Sequence, residues 1–258
     1  MGRIISISNQ KGGVGKTTTA VNLAASLAAA EKACLLIDCD PQGNATTGVG
    51  LDPAAVTFGV YNLLMSDTPL EETIAHTLLP RLDVIASTPD LVGAEVELAS
   101  MPERETRLRK AVAPSREMYD YVFIDCPPSL GFLTVNALTA AEAVLVPLQC
   151  EYYALEGLSQ LLTTAKAVKR GLNPSLRLAD ILLTMYDSRN NLSQQVESEA
   201  RTLFKSRVFK TVIPRNVRLS EAPSHGKPVL LYDLRSKGAQ SYLALARELI
   251  ERGSTEDG

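Results

Sequence analysis

The sequence predicts an α/β chain built on a doubly wound, mostly parallel twisted sheet of about seven to eight strands with helices on both faces. Short apolar runs and helix-period stretches succeed one another almost from end to end. The runs are continuous and β-branched rather than alternating with polar residues, as strands covered on both faces must be. Composition agrees: 258 residues, 45% hydrophobic and 21% charged, are ordinary globular proportions. A chain of this size buries about three-quarters of its unfolded surface, so it needs neither disulfide nor metal to hold a core. It reads as one domain over residues 1–253, with a polar, flexible tail at 254–258.

The strand-like runs fall at residues 4–8, 34–38, 82–86, 121–125, 143–148, 181–185 and 208–213. Helical patterns lie at 17–30, 155–169, 193–204 and 240–252, the last with an apolar stripe of Leu243, Ala246, Leu249 and Ile250. Residues 49–80 read only as mixed turn and helix. Parallel sheets of this class bind ligands at the carboxyl ends of their strands, so the strand-to-helix junctions hold the candidates for chemistry.

The first run leads into Asn9-Gln10-Lys11-Gly12-Gly13-Val14-Gly15-Lys16-Thr17-Thr18 and then an Ala/Leu-rich helix, whose opening threonines are able to cap it. A glycine-rich loop between a buried strand and a helix is the context a phosphate loop requires. The amides of Gly12, Gly13, Val14 and Gly15 can wrap an anion with little side chain in the way. The helix terminus adds the positive end of its dipole. Lys16 can reach the β- and γ-phosphates, and the Thr17 hydroxyl, with Thr18 beside it, can ligate Mg²⁺. The loop departs from the generic G-x-x-x-x-G-K-[ST] pattern. Gln10 stands where a glycine is usual, and Lys11 supplies an extra lysine, giving K-G-G-x-G-K-[ST].

Two further junctions end in acids. The run 34–38 closes on Asp38, with Asp40-Pro41-Gln42-Gly43 turning immediately after it. One of these carboxylates is suited to orienting a hydrated Mg²⁺ and the other to positioning an attacking water. The run 121–125 ends in Asp125-Cys126-Pro127-Pro128. An acid there, facing a phosphate loop, is placed to accept from a Mg²⁺-bound water and from Thr17. The run 208–213 passes into Pro214-Arg215-Asn216, where an Asn amide can meet the edge of a base and a proline can pack on its face.

Charge is unevenly spread. The chain carries −3 overall, yet residues 201–237 hold nine Lys or Arg against Glu221 and Asp233, a local +7. That segment is either a solvated face or an electrostatic footprint for phosphate backbones. With no Trp and 5% aromatic residues, base-stacking platforms for single strands are not expected. Cysteines at 34, 39, 126 and 150 show no C-x-x-C spacing, which argues against thiolate metal sites and fits small buried thiols. Neither a secretory leader nor an apolar run of membrane-spanning length is evident, so a cytoplasmic protein is expected.

The loop Lys11–Thr17 resembles the deviant Walker A loop of the ParA/Soj/MinD partitioning and positioning ATPases. The Asp-Cys-Pro-Pro junction, Gln149-Cys150-Glu151-Tyr152-Tyr153, Leu183-Thr184-Met185-Tyr186-Asp187 and Asn216-Val217-Arg218-Leu219-Ser220 resemble its Soj branch, so the likeness runs through the whole chain. The resemblance implies a P-loop NTPase that uses ATP and Mg²⁺. It implies that Lys11 crosses a dimer interface to the partner's nucleotide, that Asp40 positions the water, and that Asp38 supports the metal region. It places adenine against Pro214 and Asn216. It implies that an ATP-bound homodimer binds double-stranded DNA without sequence preference through Arg189 and Arg218. It also implies nucleoid association and a ParB/Spo0J-like centromere-binding partner that stimulates hydrolysis. Because the core strand begins near residue 3, the extra N-terminal DNA-binding domain of plasmid-type members is expected to be absent. Rival expectations are a MinD-like membrane-cycling ATPase, a P-loop amide-forming ligase and an iron–sulfur reductase. The first needs a basic amphipathic C-terminal helix, whereas 240–252 sets Glu248 and Glu251 against Arg247 and Arg252.

Overall fold

In the computed structural model, which describes the backbone of residues 1–151 and 154–256 and the side chains of 1–151 and 158–253, six of the seven predicted apolar runs form strands. The strands are β1 (Arg3–Ile7), β2 (Cys34–Asp38), β3 (Ile74–His76), β4 (Leu82–Ile85), β5 (Tyr121–Asp125), β6 (Ala143–Gln149) and β7 (Arg177–Thr184). Among the described residues they form one seven-stranded sheet in the order β3-β4-β2-β5-β1-β6-β7. All neighbours are parallel except β3, which runs antiparallel to β4 at the edge.

Alternate residues along each strand feed two separate cores, as a period of two demands. Ile4, Leu35, Ile37, Val122, Ile124, Val144 and Val146 point to one face, which is covered by helices including Phe132–Ala140, Ala154–Gly171 and Asn191–Phe204. Ile5, Ile7, Leu36, Phe123 and Leu145 point to the other, covered by helices Lys16–Ala29 and Lys237–Glu256. Helix Lys16–Ala29 is buried along most of its length between sheet and second helix, which explains its alanines: larger side chains would hold the layers apart. Tyr242 is fully buried there and shares a hydrogen bond with the Thr19 hydroxyl at 3.2 Å.

Two expectations are corrected. Residues 208–213 do not form a strand. They run beside β7 and make only isolated bridges, Ile181 to Val208 and Tyr186 to Pro214. The amides of Phe209 and Ile213 donate to the carbonyls of Ile181 and Leu183, each at 2.9 Å. Between them the amides of Lys210 and Thr211 turn away to the Glu248 carboxylate, each at 2.8 Å, and this breaks the ladder. Conversely, β3 lies in the stretch read as turn and helix; three residues, only one of them β-branched, give too short a pattern to stand out. Of the tail, helix Lys237–Glu256 carries the backbone to 256. Residues 257–258, like Tyr152 and Tyr153, lie outside the described residues.

Candidate active site

The chain leaves β1 toward β2 on one side, and β6 later pairs on the other, so the strand order reverses at β1. That is where a doubly wound sheet opens a crevice at its carboxyl edge. Register then gathers the acids. Ile7 pairs with Asp125, and Asp125 pairs with Asp38, so both carboxylates stand level with the start of the glycine loop.

The loop holds a shape that an ordinary side chain would strain. Gly13 has φ 75° and Gly15 φ 90°, both left-handed. A Cβ on Gly12 or Gly13 would meet no atom of the described residues within 4 Å, so that face of the loop is open to them. Its back is pinned. Asn9 Nδ2 donates to Pro147 O at 2.8 Å, Asn9 Oδ1 accepts the Lys11 amide at 3.0 Å, and the Thr184 hydroxyl donates to Val14 O at 2.8 Å. The expected threonine cap is absent. Gly15 occupies the cap position in left-handed conformation with no side chain bonded to the helix amides. The first-turn N–H groups are therefore left for an anion. Thr17 and Thr18 sit half-buried in that turn.

Lys16 is 6% exposed, and its ammonium donates to Lys11 O at 3.2 Å. Burial lowers its pKa, opposed by the negative field of Asp125, Cys126 and Asp40. Asp125 is fully buried, and among the described residues neither oxygen has a partner at hydrogen-bond geometry. Burial, reinforced by Asp38, pushes its pKa well above the usual carboxylate range; the Thr17 hydroxyl and the Lys16 charge pull the other way. An orphaned buried carboxylate, a desolvated lysine and an open amide cradle fit a polyphosphate with its divalent cation. Among the described residues no three His, Cys, Asp or Glu side chains cluster as a metal cage. A cation here would therefore depend on phosphate oxygens, Thr17 and water, which suits Mg²⁺.

Asp38 joins the cluster in a different role. One oxygen accepts both the amide and the hydroxyl of Thr46 at 2.7 Å, and the other accepts the Asp40 amide at 3.2 Å. Burial still raises its pKa to about 6. Thr46 in turn accepts the Ser87 amide at 3.0 Å. Asp38 thus fixes the turn that presents Asp40. Asp40 is 8% exposed and accepts the Gln42 amide at 3.0 Å.

The remaining candidates lie around this centre. Lys11 pairs with Glu151, just beyond β6, so within one chain its ammonium is held in cis. Pro214 is half-buried at the bridge to Tyr186. Asn216 Oδ1 accepts the Arg218 amide at 3.0 Å and caps helix Val217–Glu221, which engages the acceptor half of its amide. Arg189 is 88% exposed but forked onto Asp187 at 2.9 and 3.0 Å; Arg218 pairs with Glu221 at 2.7 Å and Asp233 at 3.3 Å. Thr46, Thr184 and Glu151 carried no signal in the sequence as site residues. Only the hydroxyl at each strand or turn end, facing the loop, could have flagged the threonines.

Fold and site together define a P-loop ATPase with the deviant, two-lysine loop. The AAA domain family model matches residues 2–178. The chain is 61% identical over 252 residues to the chromosome partitioning protein ParA of Myxococcus xanthus, covering 98% of this chain and 89% of that protein. It is 56% identical to the sporulation initiation inhibitor protein Soj of Bacillus subtilis, covering 98% and 100%. Among solved structures it is similar to cobyrinic acid a,c-diamide synthase from Mycobacterium smegmatis with bound ATP analogue and magnesium (TM-score 0.87, 36% identity, 99% and 97% covered). The chain belongs to the ParA/Soj family of chromosome-partitioning ATPases.

Proposed function

We propose that this chain binds ATP with Mg²⁺ as a face-to-face homodimer, grips duplex DNA without sequence preference, and releases it on hydrolysis to ADP. The observation that carries the reading is the open cradle of Gly12–Lys16 facing a fully buried Asp125 without a partner. In this reading Gly12, Gly13, Val14, Gly15, Lys16, Thr17 and Thr18 hold the phosphates. Thr17 and Asp125, with Asp38 in support, would hold Mg²⁺, which would supply neutralising charge to the phosphates. Pro214 and Asn216 flank the adenine. Asp40, steadied by Asp38 and Thr46, orients the attacking water. Lys11 exchanges Glu151 for the partner's nucleotide and acts in trans as an arginine finger does.

Asp40→Ala is the direct test. It should bind ATP and dimerise, lose hydrolysis by about 100-fold or more, and stay on DNA while ATP is present. Normal turnover would remove Asp40 from the water-positioning role.

DNA contact follows from charge shared across two chains. Arg189 and Arg218 are paired with carboxylates, but exposed ion pairs are weak, so phosphates can displace them. Doubling a few weak contacts on one rigid dimer raises affinity steeply. Arg189→Glu with Arg218→Glu should keep ATP-dependent dimerisation by light scattering and lose DNA affinity by about tenfold or more; wild-type binding should weaken sharply with salt. Salt-insensitive binding would count against the footprint. The likeness to a diamide synthase raises a ligase reading, but the identities to partitioning proteins are higher over the same length. A ligase would show no ATP-dependent DNA affinity. A ParB/Spo0J-like partner that accelerates hydrolysis and association with the nucleoid complete the proposal. Among the described residues no helix is long and apolar enough to cross a membrane.

A further inference from the structure

The amino ends of the strands, opposite the phosphate loop, hold a second concentration of charge. A cleft of about 830 Å³ opens where β7 begins, walled by the end of helix Ala154–Gly171, the turn Lys205–Arg207 and the last turns of helix Lys237–Glu256. Eight basic residues and one acid, Asp180, line it. Two of the cations are neutralised in place, Arg201 by Glu197 at 2.9 Å and Arg252 by Glu248 at 2.8 Å. Four others meet no carboxylate among the described residues. Lys169 donates to Leu176 O at 2.7 Å, Arg207 donates to Leu178 O, and Lys205 and Lys210 stand exposed. Glu248 accepts the backbone amides of Lys210 and Thr211 and pairs with Arg252, with no ion pair to the Lys210 ammonium.

Concave, uncompensated positive charge matches the repeating phosphates of a nucleic-acid backbone. Among the described residues no aromatic side chain lines the cleft, so bases have nothing there to stack on, and contact would be to phosphates. We infer that this cleft is a second site for duplex DNA backbone, distinct from the one containing Arg189 and Arg218. β7 has eight residues. At about 3.3 Å per residue its two ends lie roughly 25 Å apart, with Arg177 at the cleft and Arg189 beyond the other end. The inference rests on the DNA-binding reading above and adds that the grip has two faces. A dimer joined through its phosphate loops turns two such clefts outward and can hold separate duplexes at once.

The test uses the full chain with a non-hydrolysable ATP analogue and Mg²⁺. Lys205→Glu with Lys210→Glu reverses two exposed cations remote from the loop; Lys205→Ala with Lys210→Ala serves where charge reversal disturbs folding. Beads carrying one random-sequence duplex are asked to capture a second, fluorescent duplex through the protein. Wild type should capture it. The cleft variant should bind the bead duplex yet lose capture, and adding it to Arg189→Glu/Arg218→Glu should cut residual DNA affinity about tenfold or more. Capture by the cleft variant equal to wild type, with Arg189→Glu/Arg218→Glu still defective, overturns the cleft and leaves the DNA reading standing. If no form of the protein holds DNA, that reading falls first.

Discussion

Replacing Lys16 with alanine is expected to lower ATP affinity by about 100-fold or more, read by titration calorimetry on protein whose circular dichroism is unchanged. The size follows from the environment. Lys16 opens helix Lys16–Ala29 and is almost fully buried, and burial disfavours its charge. Its ammonium has one carbonyl, that of Lys11, and the field of carboxylates it does not touch. A polyphosphate supplies the close anionic partner that the chain itself does not give Lys16. Lys16→Arg is expected to fail nearly as badly, because a planar fork does not fit a slot shaped for a point charge. Nucleotide with Mg²⁺ should raise the melting temperature of wild type and leave that of Lys16→Ala unmoved. Retained micromolar affinity would remove Lys16 from the phosphate site.

Much of this site was legible because its chemistry is local in sequence. The glycines, Lys16 and Thr17 lie in one unbroken stretch, and the apolar runs before Asp38 and Asp125 announce where each acid emerges. The sheet order supplies what spacing cannot. Only the register of β1, β5 and β2 sets Asp125 between the loop and Asp38. The contacts that hold the loop are long-range and came only with the fold. Thr184 reaches Val14 across 170 residues, and Asn9 reaches Pro147 across 138. The threonines at the helix start read as caps by propensity, yet the structure leaves the amides uncapped; a ligand site here overrides a local preference. The 208–213 segment misleads for a related reason. Its β-branched run fits a strand, but Glu248, some forty residues later, takes two of its amides out of the ladder.

The same logic makes Asp125→Asn a gain for the empty protein and a loss for the enzyme. The variant should melt about 2–6 °C higher without nucleotide in EDTA, and hydrolyse ATP about 100-fold more slowly or worse with Mg²⁺. Both Asp125 oxygens lack partners in a fully buried position, with Asp38 alongside pushing the charge further out of favour. Removing such a charge without removing volume relieves a desolvation cost that Thr17 and Lys16 offset only in part. The pH dependence fixes the cause. A buried acid with a raised folded pKa supports folding fully only below its unfolded value near ~4, and that support is lost as pH climbs through the folded pKa. For Asp38 this window closes at about 6; for Asp125 it extends higher. The stability gap between Asp125→Asn and wild type should therefore widen as pH rises from about 5 to 8. Saturating ATP and Mg²⁺ should reverse its sign, since the ligand stabilises the chain that keeps the carboxylate by more. A gap that stayed flat with pH would mean that the buried Asp125 charge does not burden the nucleotide-free fold, and would count against Asp125 as the partner of a bound cation.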